Sequence, residues 1–226
     1  MQRQPTPHSA TAPTPTPSGS SVAPSPRVAR ILAAAEALVQ GGGVDAATIR
    51  SIAERAEVSP STIYNLFGSR DAVLDALSDS VLEEFDFRSV TATGTAFGRV
   101  VELVGSLVDF VDARSALFRP LAADRRVAAL AWEGPRRRRA MDIARLNLEI
   151  GVAAGELRGD VCVDTVARLV LDIWEHNQSR WAIGEIDVDE FRRRVVDEMA
   201  VVLAGVATAV GRAALEPHLP TRGTTS

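Results

Sequence analysis

Four of the five residues from Ser61 to Asn65 carry polar hydrogen-bonding groups: Ser61, Thr62, Tyr64 and Asn65. Hydroxyls and a carboxamide both donate and accept, so on one exposed helix face they suit base edges and phosphate oxygens of duplex DNA. Ser59 and Pro60 precede them, and a proline ring can touch a thymine methyl. Thr48, Arg27, Arg50 and Arg70 fall at or near the starts of helices, where hydroxyls, guanidiniums and free N–H groups hold phosphate. A second group, Trp174, His176, Asn177, Gln178 and Trp181, lies within eight residues. With Phe110, Phe118, Trp132 and Met141 it fits the wall of an apolar cavity, Asn177 or His176 fixing one polar group of a small molecule. The same residues fit a dimer interface with a cross-subunit hydrogen bond, and the sequence leaves both open.

Other chemistry is poorly supplied. Arg136 to Arg139 form a run that suits an anionic ligand or DNA, but a solvated face is the plainer reading of such a run. Cys162, His8, His176 and His218 make no metal set, since two of the histidines sit near the ends of the chain. No Ser-His-Asp, Cys-His, glycine-rich phosphate loop or paired-carboxylate arrangement stands out, so neither catalysis nor a cofactor is expected.

The polar group from Ser61 to Asn65 needs a scaffold, and the flanking residues supply one. Thr48 is a good N-cap, and Ile49, Ile52, Ala53 and Ala56 form an apolar stripe at helical spacing. The pattern breaks at Glu57 and Val58. Ser59-Pro60 restarts it, because a serine hydroxyl caps free N–H groups and proline at the first helical position loses no hydrogen bond. Ile63, Leu66 and Phe67 are expected to bury this second helix, Gly68 to end it and Ser69 to cap the next. Two short helices joined by a tight turn are the helix-turn-helix arrangement, which lays its second helix in the major groove.

The run from Ile49 to Asp71 resembles the DNA-binding segment of the tetracycline-repressor (TetR) family of bacterial regulators. The family pattern, roughly T-x-x-x-I-A-x-x-A-G-V-S-x-x-T-x-Y-x-x-F-x-x-K-E, is matched at most fixed places. Glu57 stands where the family has its turn glycine, Asn65 where histidine is frequent, and Arg70-Asp71 replace Lys-Glu. If the turn keeps a positive φ, Glu57 carries about 1–2 kcal/mol of strain. The resemblance implies phosphate contacts from Thr48, Tyr64 and Arg70, and a groove-facing helix start at Ser59 to Thr62. It also implies a small apolar or amphipathic effector bound in a larger helical domain.

The remaining sequence sets bounds. The chain has 226 residues, 46% of them hydrophobic, and all 25 basic residues are arginine. Net charge is −4, and residues 1–80 are not basic either, so a specific site must carry more of any DNA affinity than non-specific attraction does. The single cysteine excludes an intramolecular disulfide and fits a reducing, cytoplasmic compartment. No apolar run is long enough to span a bilayer, and no membrane partner is expected.

Residues 1–25 are rich in Pro, Thr and Ser and are expected to be disordered. Helices are expected over 26–40, closed by Gly41-Gly42-Gly43, then 69–84, 96–113, 117–131, 134–154, 164–183 and 188–211, with a loose tail after 215. The fold class is therefore all-α: an N-terminal three-helix helix-turn-helix head with a linking helix (26–84), then a larger helical ligand-binding and dimerisation domain (85–214). Helices 164–183 and 188–211 are the expected homodimer surface, through the stripe Phe191, Val195, Met199, Val202, Val206 and Val210, with packing inside one subunit as the competing reading. A ligand-responsive repressor on a palindromic operator follows as the functional expectation. A helical interaction module with a non-functional head and a small helical enzyme are the alternatives.

Overall fold

The computed structural model describes residues 25–85, 95–216 and 219. The segments expected to be loose, residues 1–25 and those after 215, lie outside the described residues except for Ser25, Glu216 and Leu219, as do residues 86–94. Among the described residues the chain is eleven helices with one isolated β-bridge, Leu157 to Ala207.

The first four helices follow from their caps. Ser25 accepts from Val28 N–H and Pro26 opens α1 (Pro26–Ala46). The three glycines do not end this helix as expected. Gly43, at φ 73°, kinks it, and a further turn carries Val44 into the core. Thr48 caps α2 (Ile49–Arg55) reciprocally with Ser51: each side chain accepts from the other residue's N–H, at 3.1 and 2.9 Å. Ser59 caps α3 (Pro60–Phe67) through Thr62 N–H, and Ser69 caps α4 (Arg70–Leu82) through Ala72 N–H.

The turn between α2 and α3 keeps the left-handed residue that the sequence pattern implied. Glu57, at φ 54°, is the one non-glycine residue at positive φ among the described residues. Val58 N–H reaches back to the Ala53 carbonyl at 3.0 Å, the bond that closes a left-handed helix end. Glu57→Gly is therefore expected to raise the unfolding free energy by about 0.5–1 kcal/mol, read as a higher urea midpoint. An unmoved or lower midpoint would mean that no strain is stored there.

Seven helices follow: α5 (Ala96–Ala113), α6 (Ser115–Ala123), α7 (Arg125–Glu133), α8 (Pro135–Ala153), α9 (Val163–Ala182), α10 (Val188–Val206) and α11 (Ala209–Leu215). The expected single helix over 117–131 is two, because Asp124 leaves helical geometry and its carboxylate caps Arg126 and Val127 N–H. Pro120 sits inside α6 without ending it. The last expected helix is also two. Thr208 N–H bonds the Glu156 carbonyl, Arg158 N–H bonds the Val206 carbonyl, and Thr208 then caps α11. Gly211 is required at that crossing, since a Cβ there would lie 2.1 Å from the Glu156 carbonyl oxygen. Asp164, expected to cap α9, is already inside it and takes Arg145 Nε at 2.6 Å.

Burial explains why the elements stay together. Ile31, Ile52, Ile63, Val73 and Leu74 of α1–α4 form one cluster, continuous with Val108, Leu117, Trp181 and Phe191 of the later helices. A second cluster joins Phe97, Leu148, Leu203 and Leu215. The stripe expected to form a dimer surface is mostly inside: Phe191, Val195 and Met199 are buried in the first cluster, and Val202 and Val206 pack on the second. Only Val210 of that set is well exposed. Covering by the subunit's own α5 and α9 replaces the expected intersubunit contact.

Candidate nucleic-acid interface and cavity

Helix α3 turns Ile63 fully inward and leaves Pro60, Ser61, Tyr64 and Asn65 exposed, Tyr64 at 55%. Leu66, expected in the core, is 47% exposed, so only Ile63 and Phe67 anchor the helix. At its start the Ser59 hydroxyl lies 2.8 Å from that of Ser61 and 2.9 Å from that of Thr62, which is half-buried. These three hydroxyls are already held by one another at the amino end of the helix, where the macrodipole favours an anion. Thr48 is exposed at the amino end of α2, and Arg27 and Arg50 are exposed on α1 and α2.

Arg70 departs from the expectation. It points into the head, where Nε donates to the Ala47 carbonyl at 3.0 Å, Nη2 donates to the Val44 carbonyl, and Nη1 meets Asp71. A planar fork suits two neighbouring carbonyls better than an ammonium would. The result ties the first turn of α4 to the end of α1, a positioning task beside which the phosphate contact is an expectation only.

Behind the head lies a cavity of about 810 Å³. Its wall is mainly apolar, with Leu103, Val104, Leu107, Leu121, Ile143 and Met199 contributing. Phe118, Trp174 and His176 line it as expected. Four other expected residues do not. Phe110 packs edge-on to Phe85 and beneath Arg114. Met141 belongs to the second apolar cluster. Asn177 is fully buried, its amide donating to the Ile173 carbonyl at 3.0 Å and to Glu198 at 2.9 Å. Its partner is therefore in the same chain, not across a dimer. Trp181 is fully buried, stacked on Phe191 and covered by Arg119. The side chain of Trp132 lies outside the described residues.

The charged part of the wall was not anticipated. Arg137 bonds Asp172 and Glu175, each at 2.8 Å, and only 13% of its side chain is exposed. Arg139 bonds Asp79 and Glu83, and Arg136 sits 3.7 Å from Asp75. Arg136, Arg137 and Arg139 of the run are thus struts from α8 to α4 and α9, while Arg138 is exposed. A signal existed: Asp75, Asp79 and Glu83 recur every four residues, which places them along one side of α4. Burial pushes the Glu175 carboxyl above its ordinary range, with Arg137 opposing the shift. Burial likewise raises Asp75, against Arg136 and with help from Asp79. Burial disfavours the charge on Arg137, but its bonds to Asp172 and Glu175 outweigh that and hold the proton more firmly.

Comparison with known proteins fits this arrangement. Residues 31–77, which span α2, α3 and most of α1 and α4, match the family model of bacterial regulatory proteins of the tetR family. Over 149 residues the chain is 32% identical to the HTH-type transcriptional regulator YdeS of Bacillus subtilis, covering 62% of this chain and 72% of that one.

The chain belongs to the tetR family.

The HTH-type transcriptional repressor KstR of Mycolicibacterium smegmatis is 26% identical over 171 residues, 74% of this tetR-family chain and 81% of that protein. Among solved structures, a TetR-family regulator from Syntrophomonas wolfei aligns with a TM-score of 0.61 at 18% identity, over 78% of this chain and 94% of that one. The regulator TylP of Streptomyces fradiae aligns at 0.55 and 22%, over 86% and 90%. These two show a shared fold. Family membership makes the chain a helix-turn-helix transcriptional regulator and not an enzyme. Among the described residues no helix is long and apolar enough to cross a membrane, and no group of side chains could hold a metal ion.

Proposed function

We propose that the protein is a repressor that binds a palindromic operator as a homodimer and is released by an apolar or amphipathic effector held in the cavity. The observation that carries this reading is the double role of α4. Its first turn is pinned to α1 of the head by Arg70, while Ser78, Asp79, Leu82 and Glu83 at its far end form part of the cavity wall. A ligand that parts α4 from α8 moves the head with it. Two heads must meet half-sites about 34–36 Å apart or a multiple of that, so a shift of a few ångströms favours the unbound state. Repression in the KstR relatives supports the direction of control.

One recognition helix reads one half-site, so two-fold pairing is required. With the Phe191 stripe inside the subunit, the exposed faces of α9 and α10 supply the interface instead, around Leu169 (44% exposed) and Val201 (55% exposed). The full-length protein is expected to retard the DNA upstream of its own gene in a gel shift, with a two-fold symmetric footprint. Leu169→Asp with Val201→Asp is expected to sediment as a folded monomer that no longer retards it. A double variant that remains dimeric would place the interface elsewhere, and absence of retardation by any DNA from the gene's surroundings would count against the repressor.

A further inference from the structure

The charge of the cavity wall narrows the effector class. Three guanidiniums line it, Arg136, Arg137 and Arg139, beside four carboxylates, Asp79, Glu83, Asp172 and Glu175. Asp75, paired with Arg136 from behind, makes five carboxylates to three cations. Arg137 and Arg139 are each divided between two acids. An anionic ligand would have to compete with two acids for Arg137 and for Arg139, inside a wall with surplus negative charge.

The surplus is poorly solvated. The Glu175 Oε2 and Asp75 Oδ1 atoms are buried with no hydrogen-bond partner. Burial raises both carboxyl groups even though Arg137 and Arg136 pull the other way. Phe118 and Trp174 stand in the same wall, and aromatic rings attract cations.

Resting on the reading of this cavity as the effector site, we propose that it takes an apolar molecule carrying one positive charge, a protonated amine or a quaternary ammonium, in preference to a carboxylate or phosphate. The charge sits over the ion-paired belt between α4, α8 and α9, and the apolar body fills the space between Leu103, Leu107, Leu121 and Ile143. The attraction acts through the low-dielectric wall, so it does not require contact with the buried Oε2 itself.

The test uses the full chain and three probes that share a ten-carbon chain, decyltrimethylammonium, 1-decanol and decanoate, each below its micellar concentration or solubility limit, followed by calorimetry and by tryptophan emission. The cation is expected to bind about tenfold or more tighter than decanoate. Glu175→Gln is expected to weaken the cation by about three- to tenfold and to leave decanol unmoved. Asp79→Asn, in the opposite wall, gives a second measure with the same expected sign, independent of whether the first variant folds. Equal or tighter binding of decanoate, or a cation affinity untouched by both substitutions, overturns the charge assignment while leaving an effector cavity. Binding by none of the three probes overturns the effector reading and this proposal together.

Discussion

Replacing Trp181 by alanine is expected to lower the unfolding free energy by about 3–4 kcal/mol, seen as a large fall in the urea midpoint. The side chain is fully buried, stacked on Phe191 with ring centroids 5.8 Å apart, and capped by the Arg119 guanidinium 4.5 Å from its ring. Removing it opens a void that Phe191 cannot fill, because that ring is itself pinned 5.1 Å from Trp174. One factor acts the other way: the indole N–H is buried without a partner, so its loss relieves a desolvation cost. Trp181→Phe separates the two effects and is expected to cost less than about 1.5 kcal/mol. Trp174→Ala should show the opposite balance. That ring lines the cavity, so its removal changes probe binding more than it changes stability. Equal destabilisation by both alanine variants would mean that Trp174 is core and the cavity wall is misassigned.

Those two tryptophans mark the boundary of what the sequence makes legible. Seven residues apart on α9, they lie on nearly the same side of the helix, so periodicity cannot separate them. Depth along the helix decides which fills the core and which lines the space, and that depends on α10 and α5. The caps at Thr48, Ser59 and Ser69 were legible because a cap is a contact between residues two or three apart. Glu57 was legible for the same reason: the turn is local, and its left-handed geometry follows from the pattern on either side. The breaks at Asp124 and Thr208 were not. Asp124 breaks a run that reads as one helix over 117–131, while Thr208 interrupts α10 only because residues 156–158 come to meet it.

The stripe Phe191, Val195, Met199 illustrates a more general limit. A repeating apolar face states that something covers it and is silent on whether the cover is the same chain or a second copy. The arginine run was misread by the same route. The acids that neutralise Arg137 and Arg139 lie 35 to 60 residues away, on α9 and α4, so nothing beside them announces a strut. Arg70 is a milder case, in which the side chain also closes the end of α1, a contact 23 to 26 residues back along the chain.

Exchanging both Thr62 and Tyr64 for alanine is expected to weaken operator binding by about 100-fold or more, with the protein still folded and still dimeric. Each contact to a base edge or phosphate contributes about 1–3 kcal/mol, so the loss of two accounts for that factor. The stability side of the account is small. Tyr64 is more than half exposed and outside the apolar cluster, while α3 is anchored by Ile63 and Phe67. Thr62 gives up its hydroxyl bond to Ser59, but Ser59 continues to cap the Thr62 N–H, which alanine retains. Tyr64→Phe isolates the phenol hydroxyl, and it should recover only part of the affinity if that hydroxyl meets phosphate. Salt titration checks this account: the double variant should bind more weakly at every salt concentration with an unchanged slope, because neither residue carries charge. Retention of wild-type affinity by the double variant would show that another face of the head meets DNA, and the exposed start of α3 would then need a different explanation.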